Sequence, residues 1–293
     1  MEKLIRFDWA IKHLLRNKAN FDILEGFLSA LLREDITILN LLESESNQED
    51  EADKFNRVDL LTENHQQDLI LIEVQVKSEL DFFHRIAYST AKLLTEYLDK
   101  GQEYRYLKKV ISVSITYFNL GTGQDYLYYS GTHFTGVHVQ DTLALSEGQF
   151  QEYGFREIWK IFPEYYLIRV GKFSDKINDP IDEWIYMLKY SQIQPNFTAK
   201  HIQQAGEKLR VINLSSDRRK VYERFMDNRS YEASMLHTSH MEGMKQGMKQ
   251  GIEQGIEQGV QQVAKNMLAQ GMATETIASL TGLSLEIIDK LSK

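Results

Sequence analysis

Two acidic side chains, Asp59 and Glu73, lie fourteen residues apart in the stretch NRVDLLTENHQQDLILIEVQV, residues 56–76. Runs of Val, Ile and Leu flank a polar segment at residues 63–67, and this pattern predicts two antiparallel strands joined by a short loop. If the hairpin is symmetric about Gln66, Asp59 lies opposite Glu73, with the two Cβ atoms roughly 4.5–5.5 Å apart. Two like charges at this distance destabilise a strand pair, and a divalent cation between them offsets the repulsion. The stretch therefore predicts a metal site.

The alternation of side chains along the second strand predicts where Glu73 points. Neighbouring residues of a strand face opposite sides, and one side carries Ile70, Ile72, Val74 and Val76. The other side turns from apolar to polar along the strand and carries Leu69, Leu71, Glu73 and Gln75. We expect Glu73 at the polar end, away from the core. The competing interpretation is that Asp59 and Glu73 are solvent-facing residues of an amphipathic hairpin.

The composition restricts the kind of metal. The chain of 293 residues contains no cysteine, which excludes disulfides and thiolate zinc sites. The eight histidines show no HExxH or comparable zinc spacing, so each is expected to be a surface or core residue. Carboxylates are then the principal ligands, and their oxygens suit hard cations. We therefore expect Mg²⁺ or Mn²⁺.

The charge distribution limits contact with nucleic acid. A formal net charge of −8 argues against a protein that coats nucleic acid indiscriminately. Six acids between residues 43 and 53 account for most of the imbalance, whereas residues 200–229 hold eight Lys or Arg against four Asp or Glu. DNA binding is therefore expected to be local. Because no apolar run approaches a membrane span and the first residues are too charged for a signal peptide, we expect a cytoplasmic protein.

Two helices are predicted before the hairpin, at residues 8–15 and 21–32, where apolar side chains recur at helical spacing. In the first, Asp8 and Lys12 lie four residues apart, as in an exposed ion pair worth a few tenths of a kcal/mol. Lys12 is also a candidate phosphate contact. In the second, Glu25 stands at the margin of the apolar stripe, where a solvated acid is the simplest interpretation.

A long amphipathic helix is predicted after the hairpin, at residues 79–99. It carries Arg85 and Tyr88. A helix that packs on the sheet directly after the strand of Glu73 could present Arg85 to a phosphate, although a solvated arginine explains the sequence equally well. We treat Arg85 and Tyr88 as candidate phosphate contacts.

The remaining pattern predicts more strands and then helices. Residues 108–118 alternate apolar with hydroxyl side chains, which indicates a strand, and further strands are predicted at residues 126–130, 135–139 and 159–170. Helices are predicted from Pro180 onward, then at residues 199–211 and 217–235. We therefore expect a core domain at residues 1–173 and a helical region at residues 174–241.

The tail contains an internal repeat with five glycines spaced by four, Gly243, Gly247, Gly251, Gly255 and Gly259. Because each glycine inside a helix costs ~1 kcal/mol relative to Ala, residues 242–262 are expected to pair with another helix or to stay flexible. Residues 263–293 have the pattern of a small helical hairpin or helix-turn-helix. They carry no basic excess, so self-association into a homo-oligomer and DNA reading both remain open.

The spacing of Asp59 from Glu73-Val74-Gln75 resembles the signature of the PD-(D/E)XK nuclease superfamily, with Gln75 where most members carry Lys. Residues 7–12 (FDWAIK) and residues 72–75 (IEVQ), with Arg85 and Tyr88 on the following helix, also resemble the recombination-promoting nuclease/putative transposase family. The resemblance covers roughly residues 5–170. A Gly-rich tail is usual in that family.

This resemblance implies an α/β fold with a restriction-endonuclease-like core, a mixed central sheet flanked by helices, followed by an α-helical C-terminal region. It implies a metal held by Asp59 and Glu73, to which the backbone carbonyl of Val74 could add an oxygen. An acid on the first core helix often helps to hold metal in the superfamily, which makes Glu25 a candidate further ligand. Gln75 can orient a water through its amide but cannot contribute the charge of a lysine.

The expected function is that of a Mg²⁺-dependent DNA endonuclease in recombination or mobile-element biology, and the biology follows from the resemblance alone. The rival, from another class, is a catalytically weak or inactive nuclease fold that serves as a DNA-binding or assembly module. The pair of Asp59 and Glu73 favours the enzyme. Gln75 and the acidic net charge favour the rival.

Overall fold

The computed structural model describes residues 4–42, 60–98 and 101–292, and its centre is one sheet of mixed direction. The strands are β1 (Ile38–Leu42), β2 (Leu60–Asn64), β3 (Leu69–Gln75), β4 (Val110–Thr116), β5 (Leu127–Ser130) and β6 (Glu164–Arg169). They lie side by side in the order β1-β2-β3-β4-β6-β5. Strands β3, β4 and β6 are parallel, whereas β1, β2 and β5 each run antiparallel to a neighbour. The predicted mixed central sheet is confirmed.

The hairpin of β2 and β3 has the register that its sequence predicts. Leu60 pairs with Ile72, and each step forward along β2 is matched by one step back along β3, so the pairing is centred on Gln66. In the sequence Leu60 follows Asp59 and Ile72 precedes Glu73. Asp59 itself lies outside the described residues.

Strand β3 is buried on both of its faces. On one face Leu69 and Leu71 form an apolar cluster with Leu93 of α3 (Phe82–Glu96). On the opposite face Ile72 is fully buried. Because β3 also has β2 on one side and β4 on the other, its polar residues lie in the interior or at the ends of the strand.

A group of helices completes the first compact unit, Met1–Ser215. These helices are α1 (Phe7–His13), α2 (Phe21–Leu32), α5 (Pro180–Tyr190) and α6 (Ile202–Lys208). Phe27 of α2 contacts the ring of Trp184 of α5 edge to face, with the ring centroids 6.1 Å apart. Gly26 allows the backbone to approach α2 closely, because an added Cβ would overlap the carbonyl oxygen of Lys200. Since α5 and α6 pack on α2, the unit extends beyond the predicted boundary at residue 173.

The second compact unit, Ser216–Lys293, is helical. It contains α7 (Ser216–Ala269), α8 (Thr274–Thr281) and α9 (Leu285–Leu291). The end of α7 packs with α8 and α9 around three buried residues, Ala264, Ile277 and Ile288. The glycine repeat lies inside α7, and open space surrounds each of its five glycines. None of the helices in the described part of the chain combines the length and the apolar character needed to cross a membrane.

Among the described residues, the structure has one strand and one α-helix that the sequence does not predict, and it lacks one predicted strand. Strand β1 and helix α4 (Glu147–Tyr153) were not predicted, although a capping box between Ser146 and Gln149 marks the start of α4. The predicted strand at residues 135–139 is wrong. A tight turn occupies this segment, and in it the Gly136 N–H donates to the Asp141 carbonyl oxygen over 2.8 Å.

Candidate functional site

Glu73 lies near the carboxyl end of β3 and is only 3% exposed. It pairs with Ser114 of β4 and lies on the same face of the strand as Leu71, which packs against α3. The solvent-facing interpretation is therefore wrong for Glu73, and the polar end of the strand at which we expect it is buried. Burying a carboxylate is costly unless the surroundings compensate it. Its position makes Glu73 a strong candidate for chemistry.

Gln75 ends β3 two residues later, and its side-chain amide is held by the loop that follows. Its Nε2 donates to the Lys77 carbonyl oxygen at 3.2 Å and to Glu79 Oε1 at 2.5 Å. The other oxygen of Glu79 accepts from Arg85 Nη1 at 2.7 Å. A single carboxylate thus joins the end of the strand to the first turn of α3. No pattern in the sequence marks Glu79 as a functional residue.

The two candidate phosphate contacts on α3 have different surroundings. Arg85 pairs with Glu79, and its guanidinium also lies over the ring of Phe82, 4.8 Å from the centroid. Tyr88 is 57% exposed, one helical turn further on. The positive charge of Arg85 is therefore largely balanced within the protein, whereas Tyr88 is accessible. The roles of both residues in phosphate binding stay predictions.

The start of the chain approaches the same end of the sheet. Asp8 of α1 is buried and accepts from Arg6 Nε at 3.2 Å, so the expectation of an exposed pair with Lys12 is wrong for Asp8. The guanidinium of Arg6 lies 5.0 Å from the ring centroid of Tyr117, whose N–H donates to the Gln75 carbonyl oxygen. Lys12 itself is exposed. Like Glu79, Arg6 is marked by no pattern in the sequence.

Glu25 lies elsewhere. Its Oε1 accepts from the Ile38 N–H at 2.9 Å, and Ile38 pairs with Asn64 at the turn of the hairpin. Leu69 lies at this end of β3, and Glu73 lies four positions further along, which corresponds to about 13 Å along the strand. The structure therefore does not bring Glu25 to Glu73. The carboxylate of Glu25 anchors the start of β1 instead.

A separate group of ionisable side chains lies at the amino ends of the parallel strands. Lys109 Nζ contacts Glu164 Oε1 at 2.8 Å beside a cavity of about 490 Å³ that is also lined by Glu34 and Asp68. Burial raises the pKa of Asp68, and burial together with repulsion from Asp68 raises the pKa of Glu34. Within residues 4–42, 60–98 and 101–292, no three His, Asp or Glu side chains come together to hold a metal ion.

Glu73 and its two neighbours in the sequence nevertheless carry donor types that suit a hard cation. Glu73 supplies a buried carboxylate, and Val74 and Gln75 supply backbone and amide oxygens next to it in the sequence. Oxygen donors of these kinds are the ligands that Mg²⁺ and Mn²⁺ prefer. The second carboxylate of the predicted pair, Asp59, lies outside the described residues.

Comparison with known proteins gave two matches to family models. The model described as PD-(D/E)XK nuclease family transposase matches residues 5–239. The model described as Rpn/YhgA-like nuclease family, C-terminal HTH domain, matches residues 257–293. Neither the curated proteins nor the solved structures gave a match. The first match covers most of the chain. It continues well past residue 170, where the resemblance found in the sequence ends.

Proposed function

Since the chain belongs to the family of PD-(D/E)XK nuclease family transposases, we propose that it is a Mg²⁺- or Mn²⁺-dependent DNA endonuclease acting in recombination or mobile-element biology. One observation carries this proposal. Glu73 is a buried carboxylate at the carboxyl end of a central parallel strand, where open α/β sheets bind their ligands.

Asp59, Glu73 and the Val74 carbonyl oxygen would hold the cation. The register of β2 and β3 supports Asp59 and Glu73 as ligands. Leu60 pairs with Ile72, and in the sequence Asp59 directly precedes Leu60 while Glu73 directly follows Ile72. When bound, the cation polarises the phosphate and makes a water molecule more acidic. Burial fixes the Glu73 carboxylate before substrate arrives, which limits the reorganisation needed for the reaction.

The remaining residues position the reactants. Gln75 orients the attacking water by a hydrogen bond, and it can do so without a change of protonation. Tyr88 and Lys12 are exposed and reach the DNA phosphates, while Arg85 contacts phosphate only by sharing its guanidinium with Glu79. The contribution of Arg85 is therefore smaller than that of an arginine without a carboxylate partner.

The second compact unit supplies further contacts with DNA. Its last three helices form the small bundle around Ile277 that matches the C-terminal HTH family, and helices of this kind bind DNA in the major groove. The preceding part of α7 exposes apolar side chains beside the glycine repeat, Met244, Met248, Ile252 and Ile256. These side chains form the contact through which the protein self-associates into a homo-oligomer.

One observation favours the alternative of a weak or inactive DNA-binding module. Gln75 is neutral, and the nearest cation on α3, Arg85, is paired with Glu79. Gln75, Glu79 and Arg85 together therefore supply no net positive charge on the side of the site where most members of the superfamily carry a lysine. A module of this kind would bind DNA and leave it uncut.

Nicking of supercoiled plasmid in Mg²⁺ or Mn²⁺ tests the proposal. The wild type should convert the plasmid to open circles, and Asp59→Ala and Glu73→Gln should each abolish conversion. Glu164→Gln is the matched control, because Glu164 is also buried on the sheet but pairs with Lys109 at the amino ends of the strands. Uncut plasmid that still shifts in a gel would support the alternative. Equal cutting by Glu73→Gln would contradict the site.

A further inference from the structure

The loop between β3 and α3 contains a carboxylate with two partners. Glu79 accepts from Gln75 Nε2 through one oxygen and from Arg85 Nη1 through the other. Arg85 belongs to α3 and is held in turn by the ring of Phe82. The end of β3 is thus tied to the helix through charged groups, and hydrogen bonds to charged groups are stronger than neutral ones.

This arrangement determines which way the Gln75 amide faces. Both of its neighbours, the Glu79 carboxylate and the Lys77 carbonyl oxygen, can only accept hydrogen bonds. The amide nitrogen has two N–H groups, and these two acceptors use both of them. Turning the amide over would place Oε1 against a negatively charged oxygen. The nitrogen therefore lies toward the loop, and the remaining polar atom, Oε1, is a pure acceptor.

We propose that Glu79 is a positioning residue that holds the Gln75 amide so that Oε1, and not the nitrogen, serves the site at Glu73. The inference rests on the proposed function and assigns a chemical role to Gln75. A lysine at this position can only donate, whereas Gln75 offers an oxygen that accepts a hydrogen bond from water or binds a hard cation. The site is therefore built on oxygen atoms throughout, and Glu79 maintains that arrangement.

The side-chain amide of Gln75 gives a direct test that does not require activity. Its ¹H–¹⁵N signals, identified by their loss in Gln75→Glu, should be displaced in metal-free wild type from the positions of solvated glutamine amides and should move toward them in Glu79→Ala. Glu147→Ala is the matched control. Glu147 also pairs with an arginine, Arg156, whose guanidinium lies over a phenylalanine ring, but it lies on α4. Signals that Glu79→Ala leaves unchanged would overturn the inference.

A double-mutant cycle tests the effect on catalysis. Because a misplaced reacting group can lower the rate by up to about 100-fold, Glu79→Ala should lower kcat by about 10- to 100-fold with no increase in KM. Since Glu79 acts through Gln75, the double variant with Gln75→Ala should be no slower than Gln75→Ala alone. Multiplicative losses would overturn the positioning role. A wild type that cuts no DNA would refute the proposed function, and the amide signals would still decide whether Glu79 positions Gln75.

Discussion

Binding of Mg²⁺ should raise the melting temperature of the first compact unit, and Glu73→Gln should remove most of that rise. A ligand that binds only the folded state stabilises it by about 2.7 kcal/mol at a concentration 100 times its Kd. In a domain the size of Met1–Ser215, each kcal/mol raises Tm by about 2–4 °C. The expected shift for the wild type is therefore about 5–11 °C.

Glu73→Gln keeps the shape of the side chain and removes its charge. If the loss of one carboxylate weakens binding about 100-fold, the same Mg²⁺ concentration equals Kd, and the remaining stabilisation of about 0.4 kcal/mol gives about 1–2 °C. The two metal-free proteins give the baselines from which each Mg²⁺ shift is measured.

Differential scanning calorimetry in EDTA and in Mg²⁺ measures both effects. Glu164→Gln is the control, because it disrupts a buried pair with Lys109 and should lower Tm while keeping the full Mg²⁺ shift. The transition of the second unit, Ser216–Lys293, serves as an internal reference and should stay constant. A full shift in Glu73→Gln, or no shift in the wild type, would refute the reasoning.

Three further predictions follow from the same structure. Gln75→Lys should keep or raise plasmid nicking, because it restores the lysine that most members of the superfamily carry and adds the positive charge that Gln75 lacks; a folded but inactive variant would contradict the comparison with lysine-bearing members of the superfamily. Burial raises the pKa of Asp68 in the folded protein. The contribution of Asp68 to the free energy of unfolding is therefore full below the ordinary pKa of an aspartate and is lost as the pH rises through the raised pKa. Asp68→Asn should therefore raise Tm at pH 7 relative to wild type and lose this gain near pH 3.5, and a difference independent of pH would refute the assignment. Truncation after Met241 should lower the number of protomers per particle found by light scattering while cleavage persists at high enzyme concentration; an unchanged number of protomers would show that the repeat does not join them.

The central hairpin could be predicted because its information is local. Alternation in two short apolar runs and a polar turn between them determine a register centred on Gln66, and the structure has that register. Burial was predicted less well. Leu71 and Glu73 lie on one face of β3, and the change from an apolar to an acidic side chain indicates an exposed end only if no other element covers that face. The covering element, α3, begins nine residues after Glu73. Periodicity therefore predicted the faces of β3 but not what lies on them.

The contacts around Gln75 could not be read from periodicity. Glu79 lies in a loop between two elements, where side-chain direction follows no repeat, and its link to Arg85 depends on where α3 begins. The predicted helix began at residue 79, which would have placed Glu79 on the helix surface, whereas α3 begins at Phe82. A difference of three residues in a helix boundary thus converts a solvated acid into the group that orients the end of the strand.

The basic stretch at residues 200–229 shows why charge in a sequence window is not charge on a surface. Lys200 pairs with Asp35, and Lys208 Nζ pairs with Asp22 Oδ1 of α2 at 2.7 Å. These cations connect the region around α6 to α2 inside the first compact unit. The other basic side chains of the stretch, apart from Arg210, lie on α7 in the second unit: Arg218, Arg219, Lys220, Arg224 and Arg229. The local excess of +4 is therefore divided between two units, and only its part on α7 belongs to the unit that carries the helix-turn-helix.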